Sequence, residues 1–128
     1  MTILIVDDDP DMRLYLRSCL VAFSAEIDHV LEASDGLEAL PLARSGVPDL
    51  VISDVLLPRL DGYGLCLAIK EDPGLRHLPV LLITGEDVDR SVRSVADGFL
   101  AKPFNAGQLQ AALEGMLPGT PRAPPGAV

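Results

Sequence analysis

The sequence predicts an α/β fold built on a parallel sheet. Three short runs, at residues 3–6, 50–53 and 80–83, are apolar throughout instead of alternating, apart from Ser53 at the end of the second. Strands have this character when helices bury both faces of their sheet, which is typical of parallel sheets. Segments with apolar residues at helical spacing separate these runs, so strands and helices alternate along the chain. A chain of 128 residues is long enough for one such domain.

The first strand and the first helix are the most clearly marked elements. Residues 3–6 form the strand, and a helix over residues 10–23 follows, with Asp9 as its N-cap and Pro10 at its first position. One stripe of this helix is apolar and consists of Met12, Leu16, Cys19, Leu20 and Phe23. A weaker strand is predicted near residues 29–32. The second helix begins at Asp35, which forms a capping-box pattern with Glu38.

The second half continues the alternation with less regular elements. The strands at 50–53 and 80–83 enclose an apolar, helix-like stretch around Cys66. The next crossover has only residues 86–97, and its three valines are poor helix formers, so the fourth helix should be short and easily frayed. A weak strand near residues 99–100 precedes the last helix. That helix begins at Asn105 with Gln108 in the reciprocal capping position, and its buried residues should be Leu109, Leu113 and Met116.

Composition and charge exclude several classes of partner. Asp and Glu number 19 against 10 Lys and Arg, a formal charge of −9, whereas nucleic acids and anionic lipids require clustered positive charge. The two cysteines, Cys19 and Cys66, lie in apolar stretches, which predicts buried thiols and not a disulfide framework. The N-terminal residues show no secretory signal, and no apolar run approaches about 20 residues. We therefore expect a cytoplasmic protein that binds neither nucleic acid nor membranes.

The last eleven residues differ from the rest of the chain. Residues 118–128 include four prolines and two glycines, a composition typical of a flexible tail or linker. We therefore expect a folded domain over residues 1–117. The tail is compatible with a stand-alone domain or with a linker that leads to an output domain.

Polar residues follow four of the five predicted strands. They are Asp7, Asp8 and Asp9 after the first, Asp54 after the third, Thr84 after the fourth, and Lys102 after the fifth. In an open parallel sheet these positions share the carboxyl edge, where ligands bind. Clustered carboxylates repel one another unless a cation neutralises them, and Mg²⁺ is the hard ion that suits oxygen ligands. Carboxylates, Mg²⁺, a hydroxyl and a lysine are the parts of a phosphoryl-transfer site, where a carboxylate can be the nucleophile.

Each of these residues also has a plain structural explanation. An acidic residue after a strand can be a helix N-cap, as we expect for Asp9, or a turn residue. Thr84 and Lys102 could each begin an ordinary loop. Their joint occurrence at four strand ends favours a site. The two histidines, His29 and His77, are isolated and do not indicate a zinc site.

The motifs at these strand ends resemble those of one known family. They are LIVDDDP from Leu4, VISDVLLPRLDG from Val51, Thr84-Gly85 and Lys102-Pro103-Phe104. In this order, from about Thr2 to Leu117, the sequence resembles the receiver domain of two-component response regulators. The resemblance implies a flavodoxin-like, doubly wound sheet of five parallel strands in the order 2-1-3-4-5. The span from Thr84 to Lys102 is shorter than is usual in that family, which implies a shortened fourth helix and makes the usual dimer through that helix doubtful.

The resemblance also implies roles for single acidic residues. Asp54 corresponds to the phosphoacceptor, which takes a phosphoryl group from a phosphohistidine or from a small phosphodonor. Asp8, Asp54 and the backbone carbonyl of Leu56 correspond to the Mg²⁺ ligands. Asp7 corresponds to a residue that acts through a metal-bound water.

The remaining assignments concern the fourth and fifth strands. Lys102 would pair with Asp54 and then with a phosphoryl oxygen, and Thr84 would move its hydroxyl onto that group. Phe99 matches the aromatic switch position, although it could equally be a core residue. The Lys102–Pro103 bond matches one that is cis in the family.

We therefore expect a phosphorylation-controlled switch that does not turn over an external substrate and is not an enzyme. Its partners would be a sensor histidine kinase or phosphotransfer protein and a downstream effector that the sequence does not name. Two alternatives remain open. One is a pseudo-receiver that binds partners without phosphorylation. The other, less favoured, is a small Mg²⁺-dependent phosphatase with an aspartyl-phosphate intermediate.

Overall fold

Five parallel strands form one sheet in the computed structural model, which describes residues 1–23, 27–85 and 94–116. The strands are β1 (Thr2–Val6), β2 (His29–Ala33), β3 (Leu50–Asp54), β4 (Val80–Thr84) and β5 (Gly98–Ala101). Their order across the sheet is β2-β1-β3-β4-β5, and every neighbouring pair is parallel. The predicted α/β class and the strand order 2-1-3-4-5 are confirmed.

Three helices of the described ranges connect strands, and a fourth follows β5. They are α1 (Pro10–Phe23), α2 (Gly36–Arg44), α3 (Gly62–Glu71) and α4 (Ala106–Glu114). The sequence also predicts a crossover helix before α4, so α4 is the fifth helix in the predicted order. That crossover helix falls largely on residues 86–93, which lie outside the described residues. The shortening of that crossover helix and the doubtful dimer through its face stay predictions. The predicted tail, residues 118–128, also lies outside the described residues.

Alternate residues of each strand enter two different cores. Ile3 and Ile5 of β1 join a buried cluster that includes Leu16 and Leu20 of α1 and Leu109 and Leu113 of α4. Leu4 and Val6 join a second cluster that includes Ala39 of α2 and Leu65 and Ile69 of α3. Because helices cover both faces of the sheet, the inner strands are apolar at most positions, as the sequence pattern predicted.

The capping signals begin the helices where the sequence places them. The Asp9 carboxylate accepts a hydrogen bond from an amide in the first turn of α1 at 2.9 Å. The Asp35 carboxylate accepts one from the Glu38 amide at 2.8 Å. Asn105 and Gln108 form a complete capping box at the start of α4. Each cap satisfies amides that would otherwise lack a partner at the helix end.

Both cysteines are buried and free, as expected. Burial raises the pKa of the Cys66 thiol to about 11, so the thiol is protonated at neutral pH. Within the ranges given above, no helix is long and apolar enough to cross a membrane.

Candidate functional site

The carboxyl edge of the sheet brings together the polar residues that the sequence singled out. Asp7 follows β1, Asp54 ends β3, Thr84 ends β4 and Lys102 follows β5. The ammonium group of Lys102 lies 2.8 Å from Asp54 Oδ2 and 3.9 Å from Asp7 Oδ2. Because parallel strands end at the same edge, residues from distant parts of the sequence meet at one place.

Hydrogen bonds hold both carboxylate oxygens of Asp54. Oδ2 accepts from Lys102 Nζ at 2.8 Å, and Oδ1 accepts from the Leu56 amide at 3.2 Å. The Asp54 side chain is 11% exposed, so it has a fixed direction and stays accessible to a small reactant. A charged carboxylate in this position is able to act as a nucleophile.

The main chain of Asp54 packs closely against the start of α3. The Gly62 amide donates to the Val55 carbonyl at 2.9 Å, and the Asp61 carboxylate caps α3 by accepting from the Gly64 amide at 2.7 Å. A Cβ atom on Gly62 would lie 2.0 Å from the Asp54 carbonyl oxygen. Glycine is therefore required at the first position of α3, and its close approach fixes the Asp54 backbone.

Asp7 is the most buried acidic residue of the site, with 2% of its surface exposed. Its Oδ1 accepts a hydrogen bond from the Asp9 amide at 2.9 Å. Burial is the largest cause that raises the pKa of Asp7 to about 6. The charges of Asp54 and Asp8 also raise this pKa, while the Asp9 amide and the charge of Lys102 lower it. The site carries more negative charge than Lys102 neutralises, which favours a bound cation.

Oxygen donors suited to Mg²⁺ lie close to Asp7 and Asp54 in the sequence. Asp8 is exposed next to Asp7, and the other predicted donors are Asp54 and the Leu56 carbonyl. Across residues 1–23, 27–85 and 94–116, no three Asp, Glu, His or Cys side chains converge into a group that could hold a metal ion. Mg²⁺ does not need such a cage, because it keeps several waters and takes one or two carboxylates. The donor chemistry and the uncompensated charge at Asp7 fit this ion.

Thr84 and Phe99 lie on the two strands nearest Lys102. Thr84 is 1% exposed, and its carbonyl accepts from the Lys102 amide at 2.8 Å. This main-chain hydrogen bond ties Thr84 to the lysine that contacts Asp54. Phe99 is half-buried, pairs in register with Leu82, and packs against the core on the α2 and α3 side. The Lys102–Pro103 peptide bond is cis.

A cavity of about 630 Å³ lies beside Lys102. Its lining residues are Met12, Tyr15, Gly85, Lys102, Pro103 and Phe104. The Tyr15 hydroxyl donates to the Phe104 carbonyl at 3.0 Å, and the two ring centroids are 5.7 Å apart. The start of α1 and the segment after β5 thus form one surface next to the site.

Three contacts at the site were not predicted from the sequence. The Arg13 guanidinium donates to the Asp7 carbonyl at 2.6 Å. Arg59 pairs with the buried Asp35, which lies 24 positions earlier. Gly62 packs on the phosphoacceptor candidate as described above. Arg59 and Gly62 belong to the motif around Asp54, but a local pattern does not show what a residue will contact.

The sequence is similar to one family over most of its length. Residues 3–114 match the response regulator receiver domain. Chemotaxis protein CheY-3 of Vibrio cholerae is 36% identical over 118 residues, which make up 89% of this chain and 89% of that protein. Histidine kinase P4 of Formosa agariphila is 36% identical over 91% of this chain, and the probable transcriptional regulator ycf27 of Guillardia theta is 37% identical over 94%. This chain spans only 8% of that kinase and 47% of that regulator.

Solved structures of similar proteins have the same fold. The signal receiver domain of a signal transduction histidine kinase from Syntrophus aciditrophicus is 37% identical and superposes with a TM-score of 0.80. The match covers 94% of this chain and 92% of that chain. The receiver domain of a sensor histidine kinase from Pseudomonas aeruginosa is 26% identical, with a TM-score of 0.78 and coverage of 90% and 95%. That Pseudomonas structure has a magnesium ion coordinated in its active site cleft.

Proposed function

Since this chain belongs to the family of response regulator receiver domains of two-component signalling, we propose that its Asp54 accepts a phosphoryl group. The observation that carries the proposal is the pair of Asp54 and Lys102, at 2.8 Å on the carboxyl edge. The proposed donor is a phosphohistidine on a sensor histidine kinase or phosphotransfer protein, or a small phosphodonor. The Asp54 carboxylate supplies the nucleophile, and the lysine supplies a positive charge for the incoming group.

The proposed transfer forms one bond and breaks one. An oxygen of Asp54 attacks the phosphorus, and the P–N bond to the donor imidazole breaks with its electron pair on nitrogen, which solvent protonates. Lys102 moves its contact to a phosphoryl oxygen and offsets part of the charge of about −1.5 to −2 that the phosphoryl group carries. A bound Mg²⁺ would neutralise charge on the transferring group. The residues that would hold it are Asp8, Asp54 and the Leu56 carbonyl, with Asp7 acting through water.

We propose that Thr84 and Phe99 report the modification to a downstream effector. Thr84 follows Ile83, which pairs in register with Asp54, so its position suits a hydroxyl contact to the phosphoryl group. Phe99 is half-buried and would rotate inward when Thr84 moves, which changes the outer surface of β5. In this role the protein is a switch and not an enzyme, because no external substrate is turned over. The free, buried thiols suit the cytoplasmic location predicted from the sequence.

Intact mass after incubation with Mg²⁺ and acetyl phosphate or phosphoramidate tests the proposal. We expect one phosphoryl adduct in the wild-type protein and none in Asp54→Ala. Asp61→Asn is the matched control, because Asp61 lies on the same loop and asparagine also caps a helix. That variant should form the adduct as the wild type does. No adduct in the wild type would contradict the proposal and indicate a pseudo-receiver, and repeated hydrolysis of the phosphodonor would indicate a phosphatase.

A second experiment addresses the Asp54–Lys102 pair. Lys102→Met removes the positive charge beside Asp54 and should slow adduct formation roughly 100-fold. Lys70→Met is the control, because Lys70 is the other lysine of the chain and pairs with Asp97, which precedes β5 at the opposite edge. Both variants are compared at a temperature where circular dichroism shows them folded. Equal rates in the two variants would contradict the role given to Lys102.

A further inference from the structure

The loop from β3 to α3, residues 55–61, is attached at its far end to the start of α2. Arg59 Nε and Nη2 lie 2.8 Å and 2.6 Å from Asp35 Oδ2. The Leu60 carbonyl accepts from the Gly36 amide at 2.9 Å, and a Cβ atom on Gly36 would lie 2.4 Å from that carbonyl oxygen. Two consecutive loop residues therefore contact two consecutive residues at the N-terminus of α2, without space between them.

Asp35 is a fixed anchor for this contact. Its side chain is 6% exposed, and Oδ1 caps α2 by accepting from the Glu38 amide at 2.8 Å. The Glu38 amide and the Arg59 guanidinium lower the pKa of Asp35 below its ordinary value, so the carboxylate is charged at neutral pH. Because the cap fixes the carboxylate, Arg59 is attracted to a defined point.

Arg59 has a backbone conformation that arginine seldom adopts. Its φ is 65°, in the left-handed region that glycine and asparagine occupy with less strain. No other non-glycine residue within the described ranges has a positive φ. The Arg59 side chain is 58% exposed, so filling a core does not explain its place. Its guanidinium instead forms the ion pair with Asp35.

The near end of the same loop contacts the phosphoacceptor. The Leu56 amide donates to Asp54 Oδ1 at 3.2 Å. Only two residues separate Leu56 from Arg59, and one of them, Pro58, has a restricted backbone. A shift of Arg59 is therefore transmitted to Leu56 and to the carboxylate that it orients.

We propose that Arg59 is a positioning residue of the phosphoacceptor site. Through Asp35 it holds the 55–61 loop in place, and with it the main chain of Leu56 against Asp54. The effect of Arg59 on Mg²⁺ affinity rests on the proposed function, in which the Leu56 carbonyl is a ligand. Its effect on the backbone order of the loop does not depend on that function.

The test compares Arg59→Asn with Arg44→Asn. Asparagine tolerates the left-handed backbone and removes the ion pair, while Arg44 lies on α2, 3.9 Å from Asp72 and away from the loop. Backbone order parameters from ¹⁵N relaxation of the metal-free protein should fall below about 0.6 at Leu56 in Arg59→Asn and stay near 0.85 at Ile52. The Kd for Mg²⁺, measured by calorimetry with MgCl₂, should rise about 10-fold. Arg44→Asn should change neither quantity, and Arg59→Lys should restore part of both.

Asp35→Asn provides a second variant, because asparagine retains the cap of α2 and removes the charge that Arg59 contacts. It should give the same loss of order at Leu56. Unchanged order at Leu56 in Arg59→Asn, or an equal loss of order at Ile52, would overturn the proposal. If the wild-type protein takes no phosphoryl group, the proposed function fails, while the relaxation measurement still decides on Arg59.

Discussion

Replacing Gly62 with alanine should displace Asp54 and reduce both stability and phosphoryl acceptance. The added Cβ would lie 2.0 Å from the Asp54 carbonyl oxygen and 2.9 Å from the Val55 Cα. Cβ atoms essentially never approach another atom within 3.0 Å, so Asp54 or the first turn of α3 must move by about 1 Å. Overpacking of this kind destabilises a protein by roughly 1–3 kcal/mol. A misplacement of about 1 Å at a reacting group slows a reaction up to roughly 100-fold.

Two measurements check this prediction for Gly62. Urea unfolding gives the free energy of unfolding, and intact mass gives the rate of adduct formation with acetyl phosphate. Gly107→Ala is the matched control, because Gly107 also lies in the first turn of a helix and its Cβ would be 3.4 Å from Asn105 Oδ1. This control should keep the wild-type rate and gain about 0.5–1 kcal/mol of stability. Wild-type stability and rate in Gly62→Ala would refute the contact between α3 and Asp54.

Three other properties of the chain are open to measurement. Burial raises the pKa of Asp7 from 3.8 to about 6, so between these values the folded protein keeps a proton that the unfolded chain has lost, and stability falls as the pH rises. Asp7→Asn should therefore stabilise the metal-free protein by roughly 1–3 kcal/mol at neutral pH, measured by urea unfolding with EDTA. If the free energy of unfolding of Asp7→Asn depended on pH as that of the wild type does, the prediction would be contradicted. Asn105→Ala removes the capping box of α4 and should lower the free energy of unfolding by about 1 kcal/mol, whereas Gln110→Ala in the same helix should change it little. Since Cys66 is buried with its pKa raised to about 11, and Cys19 is buried as well, both should react with a thiol reagent only after unfolding; labelling of the folded protein would disprove it.

Local patterns were sufficient to predict most of the fold. The apolar runs at 3–6, 50–53 and 80–83 became inner strands, because a strand buried on both faces is apolar at nearly every position. The caps at Asp9, Asp35 and Asn105 act within a few residues, so the sequence places them directly. The weaker strands were recognised with less accurate limits. β2 extends to Ala33 and β5 spans Gly98–Ala101, since edge strands carry a less regular apolar pattern.

The candidate site could be predicted in outline for a related reason. Once the sheet is parallel, every residue that follows a strand lies at the same edge, so Asp7, Asp54 and Lys102 were expected on that edge. Their proximity also depends on the strand order, in which β1, β3, β4 and β5 are consecutive. The family resemblance implied that Lys102 pairs with Asp54, but the distances in the site and the burial of Asp7 were not predictable. Lys102 is 2.8 Å from Asp54 and 3.9 Å from Asp7, and Asp7 is the carboxylate that is buried from solvent. These differences depend on how deeply each loop is covered, which neighbouring residues in the sequence do not specify.

The order of the elements, the parallel edge and the residue types of the site can all be read from the linear chain, because each depends on periodicity or on the position after a strand. Tertiary packing adds the contacts that give the site its geometry. Gly62 contacts the main chain of Asp54, and Arg59 reaches Asp35 across 24 positions. Such contacts join loops whose relative placement is set by the helices packed on the sheet. Their distances are therefore properties of the whole fold and not of any local segment.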